Sequence, residues 1–259
     1  QNLISTVVKN AQKDHAKSLV VTFYPNPAVV LKSIPMPFYI TSPQEKEEVF
    51  RSLGVDFVLC LKFSKEMSGF SPEQFLEIIL KKYPVTRFWL GEDFAMGKNR
   101  SGNVNVLEEI GKTKGFSIHK FPHIQDNGEK ISSSVIRGWV LQGSFPPVSK
   151  ALNRYYSVVG NVMHGDARGR KLGFPTANIE IWKGKLLPSP GVYATWIEVN
   201  GMIYPSVTNV GVRPTFDNQS NQTRVETFIH DYSRDIYDNQ VKLYFVEKTR
   251  NEKKFESIQ

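Results

Sequence analysis

The hydrophobic pattern of this chain changes period once, and that change calls for two folding units of different class. Up to about residue 150, helix-spaced apolar residues alternate with short strand-like runs. Beyond it, apolar residues recur at every second position through several segments with no convincing helix between them. A length of 259 residues accommodates two ordinary domains. We place them at 1–150 and 151–259, with the boundary near residues 149–154, after a break at Pro146-Pro147.

The first half reads as helix 1–17, strand 18–23 (buried), helix from the capping box at Ser42-Pro43-Gln44-Glu45 to Gly54, and strand 56–63. A second start signal, Ser71-Pro72-Glu73-Gln74, opens a helix to about Tyr83. Strand 87–90, helix 103–114 closed by Gly115, strand 116–121 and a helix from Ser132 complete it. This alternation builds a parallel sheet covered by helices. It opens on a helix, whereas a doubly wound sheet opens on a strand whose following turn binds phosphate. We therefore expect that strand and turn upstream of Gln1, the alternative being a fold with an extra leading helix.

In the second half, segments 155–163, 191–199, 202–208, 223–230 and 241–246 are strand-like. Asn200-Gly201 marks a two-residue hairpin, because a type I′ turn needs positive φ at both central positions. Short strands over roughly a hundred residues suggest a small antiparallel barrel.

Composition narrows the function classes. No apolar run of about 18 residues could span a bilayer. No secretory leader is visible. The single cysteine, Cys60, lies in an apolar run and reads as a core residue, which leaves no disulfide framework or cysteine metal site. A cytoplasmic location is expected. The net charge of +8 favours a polyanionic partner, a nucleotide before a nucleic acid, because the basic residues form no tail and no array with aromatics.

The densest motif is GDARGRKLGFPTAN at 165–178. Gly165, Gly169 and Gly173 would let backbone amides approach phosphates, and Arg168, Arg170 and Lys171 would neutralise them; a flexible basic loop is the bland alternative. Thr176 and Asn178 follow Pro175 two residues apart, so in an extended backbone they point the same way. Their oxygens suit Mg²⁺ on a nucleotide, or equally an Asx or ST turn. In the strand 223–229, Arg224, Glu226 and Phe228 share one face. Glu226 is either a base for a hydroxyl nucleophile or a salt-bridge partner of Arg224.

Together GRKLGFPTAN, GVYA, NVGVRPTF, VETF and RNEKKFES resemble, in order over 155–259, the riboflavin kinase module of bacterial bifunctional riboflavin kinase/FMN adenylyltransferases. The resemblance implies a six-stranded barrel that phosphorylates riboflavin to FMN with ATP. It implies nucleotide binding by Gly165, Gly169, Arg170, Lys171, Gly173, Pro175, Thr176 and Asn178, with Thr176 and Asn178 holding Mg²⁺. Glu226 would take the proton of the ribityl 5′-hydroxyl, and Arg250, Asn251, Glu252 and Phe255 would flank the flavin.

Upstream, TFYPNP (22–27), SPQEKEEVFRSLGVD, GEDFAMGKNRSGN (91–103) and ISSSVIR (131–137) resemble the FMN adenylyltransferase module, a Rossmann-like nucleotidyltransferase that makes FAD. Ser133 and Ser134 lie at an expected helix N-terminus, where free amides and the dipole suit a phosphate, and Arg137 adds a cation one turn in. Asn26 and Asp93 would complete that site. The family's HxGH phosphate motif occurs nowhere in the sequence, Asn26 stands where histidine is usual, and Ser134 where threonine is usual. We therefore expect a chain that lacks the first strand and is cut at both ends, with a parent protein that makes FAD and a chain that does so poorly. A kinase with a degenerate structural N-terminal domain is one alternative and a nucleic-acid-binding barrel another. Expected partners are riboflavin, FMN and ATP, with no nucleic acid and no membrane.

Overall fold

The computed structural model describes residues 2–122, 125–126, 129–164, 175–213 and 222–252. The chain divides into two compact units. One comprises Gln1–Pro35 and Pro43–Ile131, the other Met36–Ser42 and Ser132–Gln259.

In the first unit, α1 (Asn2–Lys13) precedes β1 (Leu19–Tyr24), α2 (Pro27–Lys32), α3 (Pro43–Ser52) and β2 (Phe57–Lys62). Then come α4 (Pro72–Leu80), β3 (Arg87–Gly91), β4 (Ala95–Met96), β5 (Gly102–Asn103), α5 (Val104–Lys114) and β6 (Ser117–Phe121). A short hairpin of β7 (Gln125–Asp126) and β8 (Glu129–Lys130) ends the unit. Ser71 and Gln74 form the reciprocal capping box that starts α4, and Gly115 caps α5 in the left-handed conformation. The parallel strands form two ladders, β1 with β2 and β3 with β6. No ladder joins them among the described residues. Leu76, Leu107 and Phe116 make the buried core, ringed by Phe88, Leu90, Phe94 and Ile118.

Three details of this unit differ from expectation. The first helix ends at Lys13, and His15 already has positive φ. Strand β1 is half-buried rather than buried; among the described residues it pairs along one edge, with β2. Cys60 is exposed and is not a core residue: it sits on β2 opposite Thr22, on a strand with polar or exposed positions at Phe57 and Lys62.

The second unit starts with α6 (Ser133–Gln142) and α7 (Phe145–Leu152). Helix α7 runs through Pro146-Pro147, where a break was expected. Both prolines fall in its first turn, where the missing N–H has no intrahelical partner to lose. Six strands follow: β9 (Tyr156–Met163), β10 (Thr176–Ile181), β11 (Gly191–Val199), β12 (Met202–Arg213), β13 (Gln222–Ile229) and β14 (Gln240–Arg250). They close as an antiparallel barrel in the order β10-β13-β12-β11-β14-β9. The β11–β12 hairpin turns at Asn200 (φ 49°) and Gly201 (φ 78°), with Val199 opposite Met202, as the Asn-Gly signal requires.

Fully buried Phe145 on α7 stacks on Phe245 at 4.8 Å and lies 5.8 and 5.7 Å from Tyr156 and Tyr193, which plugs the barrel's apolar end. The segment Met36–Ser42 joins this unit through Phe38 and Tyr39. Both are buried and donate their N–H groups to the Gly184 carbonyl, while Leu186 N–H donates to the Tyr39 carbonyl. Inside the barrel, Thr195, Ser206, Thr208 and Thr227 form a chain of buried hydroxyls linked at 2.8–2.9 Å. Each satisfies its neighbour, so the polar groups are buried without the penalty of an unpaired donor.

Candidate active site

Period-two alternation divides every barrel strand between core and surface. On β13, Val225, Thr227 and Ile229 are buried, while Arg224, Glu226 and Phe228 face outward. On β10, Thr176, Asn178 and Glu180 take the outward side and Ile179 is buried. Antiparallel register sets Asn178 opposite Glu226 and Thr176 opposite Phe228. Directly opposed side chains in such a ladder have Cβ atoms about 5 Å apart.

The row continues around the barrel. Glu226 faces Asn209 on β12, Asn209 faces Val192 on β11, and Val192 faces Arg250 at the end of β14. A single outward band thus carries Asn178, Glu226, Asn209 and Arg250. Arg224 pairs with Glu226 at 3.0 Å from Nη1 to Oε1, so the salt bridge weighed from the sequence does form. Gly211, the register partner of Arg224, is covered by Glu252: a methyl group there would lie 2.5 Å from the Glu252 carboxylate and 3.4 Å from Asn209 Nδ2. The Glu252 carboxylate, the end of an exposed and flexible side chain, thus lies over the band at Gly211. Asn251 accepts from Arg250 through its carbonyl at 3.3 Å.

Sequence reasoning did not single out Asn209, Arg224 as a site group, or Gly211. Asn209 and Gly211 sit inside the NVGVRPTF run, but only the register reveals their neighbours. Pro175 precedes β10 and is exposed. Gly165, Gly169, Arg170, Lys171, Gly173 and Phe255 lie outside the described residues.

The residues expected to serve adenylyl transfer fall in both units and are described unit by unit. In the first, Asn26 caps α2, its side-chain oxygen accepting from Ala28 N–H at 2.9 Å. Asp93 sits in the turn after β3, and its carbonyl accepts from Arg100 Nη2 at 3.0 Å. The loop around it is fixed against α4, since a methyl on Gly97 or Gly102 would meet Pro72 at 2.9 or 2.6 Å. In the second unit, Ser132 is the N-cap of α6, its hydroxyl accepting from Val135 N–H at 3.3 Å. Ser133 and Ser134 are exposed in the first turn, where backbone donors have no intrahelical acceptor. The Arg137 guanidinium lies 3.8 Å above the Phe38 ring and donates through Nε to the Phe38 carbonyl; burial lowers its pKa from the usual arginine value.

Among the described residues, no group of three or more histidine, cysteine, aspartate or glutamate side chains could hold a metal, and no helix is long and apolar enough to cross a membrane.

Residues 152–259 match the riboflavin kinase family model and residues 1–135 the FAD synthetase model. Fold and matches together define a transferase with an α/β nucleotidyltransferase-like domain followed by a kinase barrel. The chain is 31% identical to the bifunctional riboflavin kinase/FMN adenylyltransferase of Buchnera aphidicola subsp. Schizaphis graminum over 99% of its own length and 83% of the relative's. It is 31% identical to the Bacillus subtilis protein of the same name and 30% to that of Escherichia coli, covering 82% of each. A crystal structure described as a macrolide-efflux protein from Streptococcus pneumoniae superposes with a TM-score of 0.89 at 29% identity, covering 99% of this chain and 83% of that one. The chain belongs to the bifunctional riboflavin kinase/FMN adenylyltransferase family.

Proposed function

We propose that this chain transfers the γ-phosphoryl group of ATP to the 5′-hydroxyl of riboflavin, giving FMN and ADP, on the outward band of the barrel. The observation that carries the reading is the register pair Asn178–Glu226, which sets a carboxylate beside an amide on one face of a kinase-family barrel, with Thr176 two residues along. Glu226 accepts the proton of the attacking hydroxyl; the new P–O bond forms as the bond to ADP breaks. Thr176 and Asn178 would hold Mg²⁺. Two neutral oxygens and no carboxylate cage fit a magnesium ion that takes its remaining ligands from phosphates and water. The ion, when bound, neutralises charge on the phosphate oxygens. Arg250, Asn251 and Glu252 flank the flavin, and nucleotide binding is assigned to Gly165, Gly169, Arg170, Lys171, Gly173 and Pro175, with Thr176 and Asn178.

Adenylylation of FMN to FAD we assign to residues 1–150, with roles for Asn26 and Asp93 in the first unit and for Ser133, Ser134 and Arg137 in the second, and riboflavin phosphorylation to 151–259. The FAD synthetase match and the exposed first turn of α6 support the assignment.

The test is Glu226→Gln, assayed with riboflavin, ATP and Mg²⁺ and resolved chromatographically into riboflavin, FMN and FAD. Loss of a positioned base lowers kcat by roughly 10²–10⁴, with flavin binding retained. Wild-type turnover in the variant overturns the role of Glu226.

A further inference from the structure

Glu226 lies on the open face of the barrel, its side chain 29% exposed. A glutamate so placed has three freely rotating torsions, and a base on a freely rotating arm loses much of the advantage of proximity. Something must hold it. On β13 itself the residue two positions earlier, Arg224, points the same way, and its Nη1 donates to Glu226 Oε1 at 3.0 Å. Among the described residues Oε2 accepts no hydrogen bond, so the pair fixes one oxygen and leaves the other for a proton. The register partner of Arg224 is Gly211, which has no side chain, and the Glu252 carboxylate lies in the space above that glycine.

We propose that Arg224 is a positioning residue for riboflavin phosphorylation: it clamps Glu226 through Oε1 and aims Oε2 at the substrate hydroxyl. The inference rests on the assignment of Glu226 as the base. It is distinct from a surface ion pair contributing a few tenths of a kcal/mol to folding, because such a pair leaves turnover unchanged. It is also distinct from an arginine that binds ATP phosphates, which would act on the Michaelis constant for ATP.

The experiment uses the full chain and steady-state and single-turnover FMN formation for Arg224→Met, Arg224→Lys and the double variant Arg224→Met/Glu226→Gln. Methionine keeps most of the apolar stem, so folding is preserved and is checked by thermal melting. Arg224→Met lowers kcat about tenfold, well inside the roughly hundredfold effect of misplacing a reacting group by 1 Å, while KM for riboflavin and ATP stays within about twofold. Arg224→Lys restores most of the loss, since an ammonium reaches the same oxygen. In the Glu226→Gln background the Arg224→Met change has no further effect, because there is no longer a carboxylate to aim. An unchanged kcat in Arg224→Met overturns the inference, and so does a rise in the ATP KM alone or an equal loss in the double variant. If Glu226→Gln itself turns over like the wild type, the base assignment fails first and is recognised separately.

Discussion

Replacing Phe145 by alanine tests whether α7 belongs to the barrel's core rather than to a connector. The ring is fully buried and touches three aromatic rings, Phe245 at 4.8 Å, Tyr193 at 5.7 Å and Tyr156 at 5.8 Å, all themselves without solvent exposure. Truncating a buried phenylalanine costs about 3–5 kcal/mol, with the spread set by how far the walls can close. Here they close little, because the Tyr156 hydroxyl donates to the Leu186 carbonyl and the Tyr193 hydroxyl to that of Ser189. The cost therefore falls at the upper end, about 4–5 kcal/mol. For a unit of roughly 130 residues the unfolding entropy near Tm is about 0.27 kcal/mol/K, so the melting point falls by about 15–19 °C. Tryptophan fluorescence reads the transition well, since Trp139, Trp182 and Trp196 lie in this unit and only Trp89 in the other. Phe145→Leu serves as the control and costs less than Phe145→Ala, because it keeps most of the apolar volume. A drop below about 4 °C in Phe145→Ala would show that α7 is peripheral and refute the packing argument.

Thr208→Val removes the central link of the interior hydroxyl chain and leaves Thr227 without its 2.9 Å partner. Stability falls by about 1–3 kcal/mol, measured by urea unfolding, while FMN formation stays within about twofold of wild type because the chain faces the core. A collapse in turnover without loss of stability would place the hydroxyls in the site. Asp56 is bonded to Lys17, to the Ser18 backbone N–H and to the Ser18 hydroxyl, in that order of effect, and these contacts hold its carboxyl well below the usual range. A depressed carboxylate contributes stability above its unfolded pKa near 3.9 and loses that contribution as pH falls toward the folded value. Asp56→Asn should therefore melt below wild type at pH 7 and converge on it below about pH 4; a gap that widened in acid would reverse the sign of the argument.

What the sequence disclosed and what it hid follow the range of the physics. The capping box at Ser71 and the Asn200-Gly201 turn are local signals, and each has its structural counterpart. Strand β10 was not among the strand-like segments, although Thr176–Ile181 alternates polar and apolar residues as a half-buried strand does. Pro146-Pro147 looked like a break because proline disrupts helix interiors, yet the first turn tolerates it. The faces of β13 were legible from alternation alone. The neighbours of Glu226 were not, since Asn178, Asn209 and Gly211 approach it only through pairing between strands far apart in the chain. The inclusion of Met36–Ser42 in the barrel unit is another non-local fact that no window of residues contains.

Register also explains how Arg250 reaches the band at all. From Val199 opposite Val241 to Thr195 opposite Phe245, β11 and β14 pair without interruption. Continued unbroken, that register would set Lys248 opposite Val192 and beside Asn209. Two irregularities intervene, between Ala194 and Thr195 and between Val192 and Tyr193, and each admits one extra residue on β14. One bulge alone would put Thr249 at that place and reverse the inward and outward sides of the strand end. Two restore the alternation two residues further on. Lys248 is thereby turned toward the closed end of the barrel, where its Nζ donates to the Ser189 hydroxyl at 3.0 Å, and Arg250 takes the outward place in the row of Glu226. The paired bulges exchange a lysine for an arginine at the edge of the band, and they bring the 250–252 tail close enough for Glu252 to cover Gly211.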